Sequence, residues 1–108
     1  MMYKRQALDL FETMYTERTM RDHLDECLFL CKEGSKEADI LHQLERDHNT
    51  RSNQAMMDLW RLGYDAFRDS RNNEIPTLMH GDVVVAYWDE CEGIQEAAEP
   101  AGDAHMIA

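Results

Sequence analysis

One pattern constrains the N-terminal third of the chain more than any other, the spacing of its apolar residues. From residue 3 to residue 31, alternate steps of four and three residues reach apolar side chains at all but two positions, the period of one helix face. The positions are Tyr3, Ala7, Leu10, Met14, Glu17, Arg21, Leu24, Leu28 and Cys31. A straight helix over residues 3–33 would be about 45 Å long, which exceeds the width of a compact domain of 108 residues. We therefore expect this helix either to bend near residues 16–19 or to protrude and pair with another helix.

The dipeptide Gly34-Ser35 predicts the end of this helix and the start of a second one. Glycine commonly terminates helices, serine is a favoured N-cap, and the carboxylates of Glu37 and Asp39 suit a first helical turn. The second pattern places apolar residues at helical spacing as far as Phe67, with a polar interval at residues 49–53 where we expect a break. The two patterns together predict an antiparallel helical hairpin.

The stretch from residue 77 to residue 98 admits two interpretations. Asp82 is suited to cap a third helix that carries Val84, Tyr87, Trp88, Cys91 and Ile94 on one face. Alternatively, residues 78–88 form two short strands around Gly81-Asp82, because the run Val83-Val84-Val85 is strongly β-prone. We favour the helix, since the valines do not alternate with polar residues as in a half-buried strand.

The predicted fold class is therefore mainly α. We expect a small helical bundle built on an antiparallel helical hairpin, with a third helix, or a short β-hairpin plus helix, in the C-terminal third. Residues 1–99 would form a single helical domain. Residues 100–108 follow Pro100, which stops a helix, and are expected to be a flexible acidic tail.

Targeting signals and cysteine usage predict a cytoplasmic protein. The N-terminus lacks the continuous apolar stretch of a secretory signal, and the longest uncharged apolar run covers only residues 83–88, too short for a membrane span. The cysteines number three. An odd count, with Cys27 and Cys31 four residues apart on a predicted helix, favours reduced thiols.

Metal and catalytic motifs are weak. His23, Cys27 and Cys31 share one helix face, and Glu45 and His48 have the Glu-x-x-His spacing of di-iron helical bundles. Either set supports a metal-binding helical protein only as a second alternative, because each lacks the further ligands that such a site requires. No Gly-x-Ser-x-Gly elbow or glycine-rich phosphate loop occurs. We expect a protein that is not an enzyme and uses no cofactor.

The distribution of charge is the most informative functional feature. The chain carries 22 acidic and 11 basic residues, for a net charge of −11, which argues against direct binding to nucleic acid. After Arg71 there is no lysine or arginine, whereas eight acidic residues lie in the last third: Glu74, Asp82, Asp89, Glu90, Glu92, Glu96, Glu99 and Asp103. A field of one sign attracts positively charged surfaces, including those that hold nucleic acid.

The predicted partner is therefore a basic surface of a larger protein, such as a nucleic-acid-binding enzyme or complex. If residues 82–98 are helical, their carboxylates line one side and imitate a row of phosphates, with an aromatic anchor beside them. The candidate partner-binding residues are Asp82, Trp88, Asp89, Glu90, Glu92, Glu96 and Glu99. Acidity that serves only solubility is the plainer explanation of the same charge.

Small size, one-sided charge and the lack of catalytic motifs are similar in kind to the small inhibitors that phages encode against host nucleases and CRISPR effectors. This likeness implies an anti-CRISPR-like protein or nucleic-acid mimic that acts by occlusion. The first alternative is a homo-oligomeric helical scaffold, a homodimer in which the first helix pairs with its counterpart and Glu17 and Arg21 set the register.

Overall fold

The computed structural model describes residues 2–69 and 74–97. Within them, the chain forms two long helices followed by an antiparallel sheet, an α+β arrangement. The helices are α1 (Lys4–Leu28) and α2 (Lys36–Arg61), and the strands are β1 (Asp65–Asp69), β2 (Ile75–His80), β3 (Val83–Asp89) and β4 (Gly93–Glu96). The strands follow one another as a meander in the order β1-β2-β3-β4. The predicted mainly α fold class was therefore wrong, because a four-stranded sheet stands where a third helix was expected.

The helical hairpin is confirmed, with its turn at the predicted dipeptide. Gly34 has a φ of 77°, the left-handed conformation that glycine tolerates, and the hydroxyl of Ser35 accepts a hydrogen bond from the Ala38 N–H at 3.2 Å. Both helices continue through the positions where a bend and a break were predicted. Two of the polar side chains of α2 there are engaged with α1, because Arg21 donates to Asn49 and Ser52 donates to the Met14 carbonyl. They are not free to cap a new helix.

Helix α2 ends at Arg61, six residues before the last residue of its apolar pattern, Phe67. The N–H of Gly63 donates to the Trp60 carbonyl and the N–H of Tyr64 to the Leu59 carbonyl, both at about 3 Å. These two bonds, with Gly63 at a φ of 86°, form a Schellman motif, which satisfies the last carbonyls of a helix. Residues 65–69 consequently leave the helix and become β1.

A bulge explains why β3 lacks the alternation expected of a strand. Leu78 pairs with Ala86 but Met79 pairs with Val84, so Val85 is an extra residue in β3. Val85 and Ala86 are therefore consecutive and both buried. The predicted third helix was wrong, and the β-hairpin around Gly81-Asp82 is the interpretation that the structure supports, without the helix that was to follow it.

The hydrophobic core lies at one end of the hairpin. The first half of α1, the last two turns of α2 and one face of the sheet enclose it. In the opposite half, which we call the arm (residues 18–48), all residues are described and only Ala38 is buried. The molecule measures 66 × 27 × 20 Å, so the first helix protrudes and pairs with α2 rather than bending.

The candidate partner-binding residue Glu99 and the tail predicted at residues 100–108 lie outside the described residues. Among the described helices, none combines the length and apolar character that crossing a membrane requires.

Candidate functional site

The sheet is oriented so that its β3–β4 turn lies toward the arm. Near the start of α1, Lys4 forms an ion pair with Glu96 of β4 at 3.2 Å. Farther along α1, the Tyr15 ring stacks on Trp88, near the end of β3, with centroids 6.1 Å apart. Strand β3 therefore runs in the same direction as α1, and the turn that follows it, residues 90–92, is at the arm side of the sheet.

Asp89 shapes this turn. Its Oδ1 accepts hydrogen bonds from the backbone N–H groups of Cys91 and Glu92 at 2.7 and 2.9 Å. These bonds, with that of Glu92 the stronger influence, hold the pKa of the Asp89 carboxyl below its usual value. Gly93 closes the turn at a φ of 82°. The result is an ordered loop that presents the exposed carboxylates of Glu90 and Glu92.

A cavity of about 680 Å³ opens beside the turn. It combines three carboxylates, one guanidinium and two aromatic rings with apolar and amide groups, so the charges of its lining sum to −2. Its lining residues are Arg68, Glu74, Ile75, Pro76, Tyr87, Trp88, Asp89, Glu90 and Gln95. Such a lining suits a cationic side chain, because carboxylates pair with it and aromatic faces attract it.

The Trp88 ring is held in place by aromatic contacts with α1. Tyr15 stacks on it and is itself met edge-on by Phe11 at 5.1 Å, while the Arg18 guanidinium lies 5.0 Å from the Tyr15 ring centroid. Burial raises the pKa of the Tyr15 hydroxyl, and the charges of Arg18 and Arg68 act in the opposite direction. Trp88 is half-buried and therefore offers a partner only the part of its ring that borders the cavity.

The remaining predicted residues do not join this cluster. Asp82 lies in the β2–β3 turn, at the opposite end of a seven-residue strand, about 20 Å away at the rise of an extended chain. Glu96 is neutralised by Lys4. The helical row of carboxylates predicted for residues 82–98 is therefore wrong, because a strand replaces the helix that was to carry it.

Six lining residues lie outside the predicted set: Arg68, Glu74, Ile75, Pro76, Tyr87 and Gln95. Glu74 belongs to the acidic run of the last third, but only the pairing of β2 with β3 brings its end of the sheet beside the β3–β4 turn. Gln95 pairs with Tyr87 across β3 and β4. If the four strands are known, the alternation of side chains along each strand and the pairing between strands indicate the positions of Glu74 and Gln95. Without the strands, no local sequence signal indicates that these two residues line the cavity.

The two polar residues of the helical stripe contact α2 of the same chain. Glu17 contacts His48 through its Oε2 and accepts from Arg51 Nε at 3.1 Å. Burial acts to raise the pKa of Glu17, but these partners outweigh it and lower the pKa. Arg21 donates to Asn49 at 2.8 Å. The register that these residues set is that of the hairpin itself.

The residues proposed as metal ligands are dispersed. His23 and Cys27 are exposed, Cys31 is half-buried, and Cys27, Cys31 and Cys91 are free thiols. Within residues 2–69 and 74–97, no three His, Cys, Asp or Glu side chains are grouped so that they would hold a metal ion.

Comparison with known proteins gives no relative: no family model, curated protein or solved structure matches this chain.

Proposed function

We propose that the chain is a small, non-enzymatic, acidic interaction protein whose sheet-end cavity receives an arginine or lysine side chain from a basic surface of a larger protein. The observation that carries the proposal is the joint lining of this cavity by the carboxylates of Glu74, Asp89 and Glu90 and the rings of Tyr87 and Trp88. A cation bound there would gain charge-assisted hydrogen bonds and aromatic contact together.

The charge of the whole chain favours the same partner. A net charge of −11 steers positively charged surfaces toward the molecule over about one Debye length, and the cavity then selects individual side chains. A basic surface that normally contacts phosphate would be occupied, so the action would be occlusion of nucleic-acid binding. We place this activity in the cytoplasm, where the free thiols would remain reduced.

The test uses a short arginine-rich peptide and a citrulline peptide of the same length, in which each guanidinium is replaced by a neutral isostere. Trp88 borders the cavity, and the chain has two tryptophans, so a Trp60→Phe background leaves its fluorescence as the binding signal. We expect the arginine peptide to change this signal and the citrulline peptide not to. Glu90→Lys should weaken binding about tenfold, equivalent to about 1.4 kcal/mol.

The matched control is Asp82→Lys, an identical change of charge at an exposed position at the other end of β3. If attraction were only a property of the net charge, both variants would weaken binding equally, and the proposed cavity would have no role. Affinity capture from the native host with the same pair of variants then identifies a partner whose retention depends on Glu90 but not on Asp82. A steep loss of that retention with added salt is expected.

A further inference from the structure

We infer that the sheet-end cavity binds a basic residue that also carries a free carboxylate, as arginine or lysine does at the C-terminus of a chain, and that Arg68 selects this carboxylate. This specificity rests on the proposed function, because it states which arginine or lysine of the partner the cavity receives. Two observations support it. The Arg68 guanidinium is unpaired among carboxylates, and the strand register brings it to the same face of the sheet as Trp88.

Arg68 is a cation without a partner in an acidic cavity. It lines the cavity together with the carboxylates of Glu74, Asp89 and Glu90. In the part of the chain that the structure describes, its guanidinium forms no hydrogen bond and no ion pair. The Asp89 carboxylate is already engaged, because its Oδ1 accepts from two backbone N–H groups of the β3–β4 turn. The cavity therefore presents charges of both signs that do not neutralise each other.

The strand register places Arg68 and Trp88 in one row across the sheet. Arg68 pairs with Pro76, and Pro76 is level with Trp88 because the next residues toward the core, Thr77 and Tyr87, are paired. Residues in one row of a sheet point to the same face, and Trp88 stacks on α1, so this face is the one toward the helices. Only the strand of the buried Pro76 separates the other two, and their backbones are thus about 10 Å apart.

The electrostatic surroundings of Tyr15 agree with this placement of Arg68. Burial raises the pKa of the Tyr15 hydroxyl, and the charges of Arg18 and Arg68 act against it. Because Tyr15 lies against Trp88 on the helix side of the sheet, the charge of Arg68 is felt on that side. Arg18 is already engaged, since its Nε donates to the Ser52 hydroxyl at 3.0 Å. Of these two guanidinium groups, Arg68 is the one available to a ligand.

A ligand with one sign of charge does not satisfy this cavity. A basic residue within a chain brings a cation to Glu90 but also places it near Arg68, and like charges repel. An acidic residue meets Arg68 but also three carboxylates. A basic residue with a free carboxylate pairs with both, because a guanidinium binds a carboxylate through two parallel hydrogen bonds. Within a protein, only the C-terminal residue supplies this combination on one residue.

Three short acetylated peptides test the assignment on the full chain, with Trp88 fluorescence in the Trp60→Phe background as the signal. The first ends in arginine with a free carboxylate, the second ends in arginine carboxamide, and the third is the first with citrulline in place of arginine. The carboxylate form should bind about tenfold more tightly than the carboxamide form, the lower range for a charged hydrogen bond, because Arg68 is exposed. Free L-arginine should bind more weakly than the first peptide, because its ammonium group adds a cation near Arg68.

Substitution of Arg68 should change the two arginine peptides in different ways. Arg68→Gln should weaken the carboxylate peptide about tenfold and should not weaken the carboxamide peptide, because a like charge is removed. Damage to the fold would weaken both. Arg68→Lys keeps the charge but loses the planar fork, so it should retain only part of the preference. Arg46→Gln, the same loss of charge at an exposed position in the arm, is the matched control and should retain the full preference.

The results separate failure of this specificity from failure of the proposed function. If the wild type binds both arginine peptides equally, and each more tightly than the citrulline peptide, the role of Arg68 is overturned and the proposed function stands. A preference for the carboxylate that persists in Arg68→Gln also overturns it, and tighter binding of free L-arginine than of the first peptide overturns the chain end as the ligand. Equal binding of the citrulline and arginine carboxylate peptides, or no binding of any peptide, overturns the proposed function and the specificity that rests on it.

Discussion

Replacing Glu45 with glutamine should stabilise the protein at neutral pH. The interaction of Glu45 on α2 with the Asp25 carboxyl of α1 is the main cause of a raised pKa for Glu45, with burial and the charge of Asp25 adding to it. His42 and Arg21 act in the opposite direction without cancelling the effect. At neutral pH, folding thus holds two carboxyl groups together that would each be charged in the unfolded chain.

The magnitude follows from the position of the pair. Two like charges about 4 Å apart repel by about 1 kcal/mol in water and by more where solvent is partly excluded. Glu45 is half-buried and Asp25 is exposed, so screening keeps the repulsion near the lower value. Glutamine removes it and donates an amide hydrogen bond to Asp25. We expect a gain of about 1 kcal/mol, or about 4–8 °C in Tm for a domain of this size.

Thermal unfolding followed by circular dichroism at neutral pH and near pH 4 measures the effect. A raised folded pKa means that wild-type stability falls as pH rises above the unfolded value of 4.5. The advantage of Glu45→Gln should therefore be large at neutral pH and small near pH 4, and added salt should reduce it. Glu12→Gln, the same change at an exposed position on α1, is the control. An equal Tm gain at both pH values, or a loss at neutral pH, would refute the reasoning.

Two further substitutions probe the hairpin and its end. Glu17→Gln should cost about 1–2 kcal/mol at neutral pH, because it removes charge-assisted bonds with His48 and Arg51. Since the pKa of Glu17 is lowered by folding, this contribution to stability is present above pH 4.5 and is lost as pH falls through the folded pKa. Urea titrations at several pH values measure the difference in unfolding free energy between wild type and variant, and a difference that does not change with pH would contradict the prediction. Gly63→Ala should cost about 1–2 kcal/mol, because Gly63 has a φ of 86° and a side chain there is strained; unfolding by urea measures it, and an unchanged midpoint would show that the turn relaxes freely.

The sequence predicts the hairpin well because its signals are local. Gly34 and Ser35 are adjacent, the cap needs only Ala38, and the apolar period of α1 persists along the whole helix. The interruptions predicted within the helices fail for a non-local reason. Asn49 and Ser52 favour caps when considered alone, but α1 supplies partners for both side chains.

The sheet could not be predicted in the same way. Its most informative strand contains a bulge, so Val85 and Ala86 are both buried and the alternation that identifies strands is lost. The Leu62-Gly63-Tyr64 sequence does contain a usable signal, since glycine followed by a buried aromatic residue is typical of a Schellman end. For the candidate site, composition identifies the acidic character of the last third, whereas strand pairing determines that Glu90 lies beside Glu74 and far from Asp82.

The protruding hairpin also determines the hydrodynamic size of the molecule. The radius of gyration is 17.2 Å, whereas a compact chain of this length would have about 13 Å. Because an elongated particle has a larger hydrodynamic radius than a compact one, it elutes from a gel-filtration column earlier than a globular protein of the same mass. A single copy will therefore resemble a heavier globular standard, and its Stokes radius must not be taken as a count of subunits.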